Sequence, residues 1–347
     1  MNRHPAHAPH LSRRALIAAS LAGTAGLAAL GATREAHAQT ATASPAPSKA
    51  KPPIPSAVFP FESKFTDVLG SKMHYIDIGS GDPVIFVHGI PTSSYLWRNV
   101  VPFVAPGRRV IAVDNIGYGK SDKPAINYGW IELSEYLEAF IKKLNLNNVT
   151  LVMHDLGGAL GLHYAWKNPQ NVKAMAYLEA AVPPAYPRVS FASFGPTELL
   201  FRQLRDPVSG RKLLMEDNFW VENFLPASIM RDLAPAEMET YRAPFKTVES
   251  RKAIFDMVQS FPIEGKPERE WTTYAEMVKW WKTNTLPKLV MYGSPSRVTP
   301  RAGVDWAVEN LKNVDVAWVG HGIHFLQEDN PEGIGRAIAE WLRRQLN

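Results

Sequence analysis

The 347-residue sequence contains no cysteine, which excludes disulfides, thiolate metal sites and a cysteine nucleophile. None of its ten histidines lies in an HExxH arrangement, and no glycine-rich phosphate loop is present. No cofactor is therefore expected. Charge is also sparse: 20% of residues are charged, against 46% hydrophobic. A mean hydropathy of −0.17 fits a soluble domain with a sizeable core.

What is present begins with a targeting segment. Residues 1–38 carry Ser12-Arg13-Arg14-Ala15-Leu16-Ile17, an uncharged stretch rich in Ala, Leu and Gly, and the small-x-small sequence Ala36-His37-Ala38. That order is the one expected of a twin-arginine signal peptide with its cleavage site. It predicts export by the twin-arginine machinery and a periplasmic or secreted mature protein. The segment has a net charge of +3, so its removal takes the formal +5 of the whole chain to +2. No contiguous basic run remains, and neither nucleic acid nor a membrane surface is a favoured partner.

Residues 39–56, rich in Ala, Pro, Ser and Thr, read as a disordered lead-in. Beyond them, short apolar runs at 84–87, 110–113, 149–153, 174–178, 289–292 and 314–319 read as buried strands. Helical patterns at 131–144, 159–168, 301–311 and 334–346 alternate with those runs. This alternation predicts an α/β fold with a mostly parallel sheet flanked by helices. The rhythm breaks between about 183 and 287, where aromatic-rich helical segments and many prolines replace strands. That stretch is expected to form a helical cap inserted between two core parts, 57–182 and 288–347.

Candidate chemistry sits at the strand ends. Val149-Thr-Leu-Val-Met-His-Asp155-Leu-Gly-Gly-Ala159 runs from a strand through a tight turn into a helix, the form of a nucleophile elbow with Asp155 at its apex. An aspartate there also suits a helix N-cap. Met153, two residues earlier, is larger than such an elbow normally carries. The Leu156 amide, with that of Ile90 in Val87-His88-Gly89-Ile90-Pro91, would make an oxyanion site. Near the C-terminus, His321-Gly-Ile-His324 supplies two candidates for a general base. The segment following the penultimate strand, residues 289–300, holds no Asp or Glu. Glu179, closing the strand after the elbow, is the candidate acid, because a carboxylate there needs a partner such as a histidine N–H.

Several segments together resemble the haloalkane dehalogenases, an α/β-hydrolase family, and most closely the subfamily with its catalytic Glu after the sixth strand. They are His88-Gly-Ile-Pro-Thr-Ser-Ser-Tyr-Leu-Trp-Arg-Asn99, Asp114-x-x-Gly-x-Gly-Lys-Ser-Asp-Lys-Pro124, His154-Asp-x-Gly157, Tyr177-x-Glu-Ala180, Tyr241-Arg-x-Pro-Phe245 and Gly322-x-His-Phe-Leu-Gln-Glu-Asp-Asn-Pro331. The resemblance implies Asp155 as nucleophile, Glu179 as acid and His324, in place of His321, as base. It also implies an ester on Asp155, a small apolar organic halide and water as substrates, and structural roles for His88 and His154.

The chain departs from the family where the halide is gripped. The resembling proteins carry an Asn and a Trp where this chain has Ile90 and Leu156, neither of which can donate from its side chain. Trp220 in the cap is a candidate replacement, and Tyr241 a second candidate for contacting substrate or halide. Two alternatives remain open at this point. Epoxide hydrolysis would use the same Asp and His with a cap tyrosine, Tyr241 or Tyr274, as proton donor. A ligand-binding homologue without activity is the other.

Overall fold

The computed structural model describes residues 55–345. The signal peptide, and all but the last two residues of the lead-in expected at 39–56, lie outside the described residues.

Eight strands form one sheet: β1 Lys64–Val68, β2 Ser71–Ile78, β3 Pro83–Val87, β4 Arg109–Val113, β5 Val149–Asp155, β6 Val172–Ala180, β7 Lys288–Pro295 and β8 Val314–Gly322. Their order is β1-β2-β4-β3-β5-β6-β7-β8. From β4 to β8 every pairing is parallel, while β1 and β2 join antiparallel at one edge. The central strands are buried on both faces, and β3 has no exposed residue. Continuous apolar runs are the form such strands take.

The helices of eight residues or more are α1 Trp130–Lys143, α2 Gly157–Lys167, α3 Glu198–Arg205, α4 Pro235–Arg242, α5 Lys252–Gln259, α6 Glu268–Thr283, α7 Arg301–Asn310 and α8 Pro331–Gln345. Four of these, α3 to α6, lie in the insertion between β6 and β7, together with several shorter helical turns. Among the described residues that insertion contains no strand longer than an isolated bridge.

The hairpin of β1 and β2 was not anticipated from the apolar runs. β1 alternates half-buried and exposed residues, as an edge strand with one wet face should, and so lacks a run to detect.

Two glycines set the geometry of the elbow. A Cβ on Gly157 would lie 2.2 Å from the Val87 carbonyl oxygen, so α2 starts hard against the end of β3. The oversized Met153 is accommodated in the same way. A Cβ on Gly161, one turn into α2, would sit 2.4 Å from its sulfur.

Candidate active site

Asp155 ends β5 with φ +50°, and Glu179, near the end of β6, has φ +46°. Non-glycine residues in this left-handed region cost of order 1–3 kcal/mol, and such strain clusters where a side chain must be aimed. Here the aim is mutual. The Ile90 amide donates to Asp155 Oδ1 at 2.8 Å, and the Leu156 amide also donates to this carboxylate. A Cβ on Gly89 would fall 2.0 Å from Oδ1, so only glycine lets the Ile90 loop come this close.

His324 bridges the two carboxylates. Its Nε2 is 3.3 Å from Asp155 Oδ2 and its Nδ1 3.1 Å from Glu179 Oε2. His321 takes no part; it is exposed and packs on Trp318. The backbone N–H groups of His324 and Phe325 both donate to the Ser228 carbonyl, which ties the histidine loop to the cap. His154 hydrogen-bonds through Nε2 to the His324 carbonyl at 2.9 Å. His88 receives the Asn115 amide on Nε2 and donates from Nδ1 to the Gly89 carbonyl, which fixes the loop carrying Ile90.

Glu179 is 1% exposed, and its charge is fully engaged. Arg297 and Val298 N–H donate to Oε2 at 2.9 and 2.8 Å, Thr299 N–H to Oε1 at 2.8 Å, and the Ser296 hydroxyl also donates to Oε1. The segment after β7, noted in the sequence for holding no acid, is thus the cradle of the acid on β6. Burial alone would raise the Glu179 pKa, but the hydrogen bonds from His324, Ser296 and Thr299 hold it below the usual carboxylate range. Asp155 behaves likewise: burial opposes ionisation, and His324 with the Leu156 amide restores it. For His324, burial favours the neutral ring, but Asp155 and Glu179 outweigh it and raise the pKa above 6.5.

Asp155 and His324 open into a cavity of about 460 Å³. Aromatic side chains supply much of the wall, including Phe194, Phe201, Trp220, Phe224 and Phe261. Trp220 and Phe224 occupy one π-helical turn and stack at 4.6 Å between ring centroids. The Trp220 indole N–H is buried without a partner. Three other buried indoles share that property, but only Trp220 lines the cavity.

Tyr241 lies elsewhere. Its hydroxyl donates to Glu328 inside a buried ion cluster, and it does not line the cavity; this corrects the expectation that it contacts substrate. Tyr274 is likewise outside, donating to the Ala181 carbonyl. Arg297 and Arg188, which no motif had singled out, do line it. A lone arginine in a loop ordinarily reads as surface charge, so the sequence carried no signal for either.

Comparison with known proteins places this geometry. The profile of the alpha/beta hydrolase fold matches residues 82–331. A haloalkane dehalogenase of Mesorhizobium japonicum is 42% identical over 85% of this chain and 95% of its own length. One from Agrobacterium fabrum is 36% identical over 84% and 95%. The chain belongs to the haloalkane dehalogenases.

Solved haloalkane dehalogenases share its architecture. DbeA from Bradyrhizobium elkani superposes with a TM-score of 0.79 at 38% identity, covering 82% of this chain and 98% of that one. DatA from Agrobacterium tumefaciens gives 0.76 at 34%, covering 82% and 96%.

In this member of the family, Glu179→Gln is expected to lower turnover roughly a hundredfold with the fold retained. The neutral amide cannot stabilise an imidazolium, and its NH₂ would face donors in place of an acceptor. Steady-state kinetics with circular dichroism measures both. Unchanged kinetics would move the acid role to another residue.

Proposed function

We propose that this enzyme hydrolyses carbon–halogen bonds of small organic halides through an ester formed on Asp155. The supporting observation is the asymmetry of that carboxylate. Oδ1 accepts the Ile90 amide at 2.8 Å, while Oδ2 faces His324 at the cavity; the Leu156 amide also favours the ionised carboxylate. Oδ2 attacks the halogen-bearing carbon, the carbon–halogen bond breaks, and halide leaves with the electron pair. Alkylation neutralises Asp155 and removes the hydrogen bond and negative charge that raise the His324 pKa, which leaves the ring a free base. The ring then accepts a proton from water as that water attacks the ester carbon. Negative charge builds on Oδ1, which already accepts the Ile90 amide, with the Leu156 N–H beside it as the second donor. Collapse expels the alkoxide, which takes the proton back from His324 and leaves as alcohol; the second water proton, left on the Asp155 carboxyl, passes through His324 to solvent and restores the ionised nucleophile.

The halide needs a donor that Ile90 and Leu156 cannot offer from their side chains. Trp220 supplies one: its unpartnered N–H at the cavity wall loses a buried desolvation penalty when an anion arrives. The N–H is covered in the empty cavity, so donating to halide requires the indole to turn toward it. Tyr241 and Tyr274, the two tyrosines weighed as proton donors for epoxide opening, both spend their hydroxyls outside the cavity; the tyrosine that lines it is Tyr186.

The test is halide release from 1-bromobutane by purified protein, compared with Trp220→Phe. The variant keeps the aromatic stack and should lose ten- to a hundredfold in kcat/KM. Full activity in the variant would remove Trp220 from the halide site. Diol formation from epoxides with no halide release would overturn the reaction itself.

A further inference from the structure

The cavity is electrostatically unusual for a pocket meant only for neutral haloalkanes. Two arginines, Arg188 and Arg297, contribute to its lining, and Asp155 is the sole acidic residue among the lining side chains. Arg188 donates to the Ser193 carbonyl at 3.0 Å. Arg297 is different. Its backbone N–H serves Glu179, but its Nη1 and Nη2 are buried with no hydrogen-bond partner. The guanidinium carbon lies 4.8 Å over the Phe224 ring. A buried guanidinium without an anion is costly, and burial lowers the Arg297 pKa to about 10, with Glu179 opposing the shift. The carboxylate it senses is Glu179, whose oxygens are already taken by other donors. Glu179 offsets part of the charge but leaves both Nη groups without an acceptor, and the guanidinium stands one ring away from the reaction: Phe224 also packs against His324, at 6.3 Å between centroids.

We propose that Arg297 is a specificity-determining residue that receives the carboxylate of a substrate bearing a halogen at its other end, so that the pocket prefers halogenated carboxylic acids to neutral haloalkanes. The proposal rests on the hydrolytic reading above. In the empty cavity the Nη atoms are covered, so binding requires the side chain to swing off Phe224. No hydrogen bond to Nη1 or Nη2 opposes that movement. The carboxylate then satisfies two donors in the planar, bidentate manner that guanidinium favours. The reacting carbon is left toward Asp155, held at both ends of the chain.

The experiment compares 6-bromohexanoate with its neutral methyl ester in wild type, Arg297→Met and Arg297→Lys. Wild type should favour the acid by tenfold or more in kcat/KM. Arg297→Met should abolish that preference, chiefly by raising KM for the acid; Arg297→Lys should keep part of it. Folding is not at risk, since Met replaces an unpaired buried cation and should raise Tm. Hexanoate, which has no leaving group, supplies a readout without turnover: it should raise the Tm of wild type and not of Arg297→Met. Bromide release from the ester with no preference for the acid, and no response to hexanoate, would overturn this proposal and leave the hydrolytic reading standing. An equal loss on both substrates in Arg297→Met would assign the arginine to the departing halide and also overturn it. Hexanoate binding lost in Arg297→Met, with no bromide released from either substrate, would uphold the anion site and overturn the hydrolytic reading instead.

Discussion

His324→Phe should abolish steady-state turnover while leaving the first chemical step intact, so that an alkylated enzyme accumulates. The two half-reactions place different demands on the ring. Attack on carbon needs only an ionised Asp155, whose pKa stays low partly through its backbone donors, which the substitution does not touch. Hydrolysis of the ester needs a base, and in this pocket Nε2 of His324 is the group poised 3.3 Å from Oδ2. Phe keeps the ring's contacts with Phe224 and Phe325 but cannot take a proton. Loss of a catalytic base of this kind typically costs about four orders of magnitude or more. Intact-protein mass after exposure to 1-bromobutane should rise by one butyl group, and peptide mapping should place it on Asp155. An adduct on another residue, or none from a substrate that wild type consumes, would sink the covalent route.

How much of this site could be read from the chain depended on what kind of atom does the work. Asp155 and His324 were legible because side chains carry their chemistry and a strand–turn–helix pattern surrounds the first. Glu179 was legible as a carboxylate that needed a partner. Its cradle was not: three of the four donors from 296–299 are backbone amides, which leave no mark in residue identity. The parallel strands announced themselves as apolar runs, whereas β1 did not, because it alternates with a wet face, and β2 did not, because Ser71, Lys72, His74 and Asp77 interrupt its largely buried stretch. Tyr241 misled for a related reason. Its motif is real, but the hydroxyl it supplies answers a buried glutamate, a partner 87 positions away that no local pattern reveals.

That glutamate anchors the remaining large effect, the loss expected from Arg98→Met. Arg98 is fully buried and holds Glu328 through two parallel bonds of 2.6 and 2.9 Å, and Glu237 at 2.7 Å. Arg231 completes the cluster, reaching both glutamates at 2.6–2.8 Å. Arg98 and Glu328 belong to the core, one following β3 and the other preceding α8; Glu237 and Arg231 belong to the cap. Two cations face two anions, so the cluster is balanced only while all four remain. Removing Arg98 leaves two buried carboxylates sharing the single cation Arg231, and breaking a buried pair in this way typically costs about 3–5 kcal/mol. In a chain of this size that lowers Tm by roughly 10 °C. Glu328 lies four residues beyond His324, so slackening here should also reduce activity before the protein unfolds. Thermal and denaturant unfolding of Arg98→Met measure the loss, and adding Glu328→Gln should recover part of it by removing the orphaned charge. If Arg98→Met unfolds within 1 kcal/mol of wild type, or Glu328→Gln makes it worse by its full single-mutant cost, the cluster does not clamp cap to core.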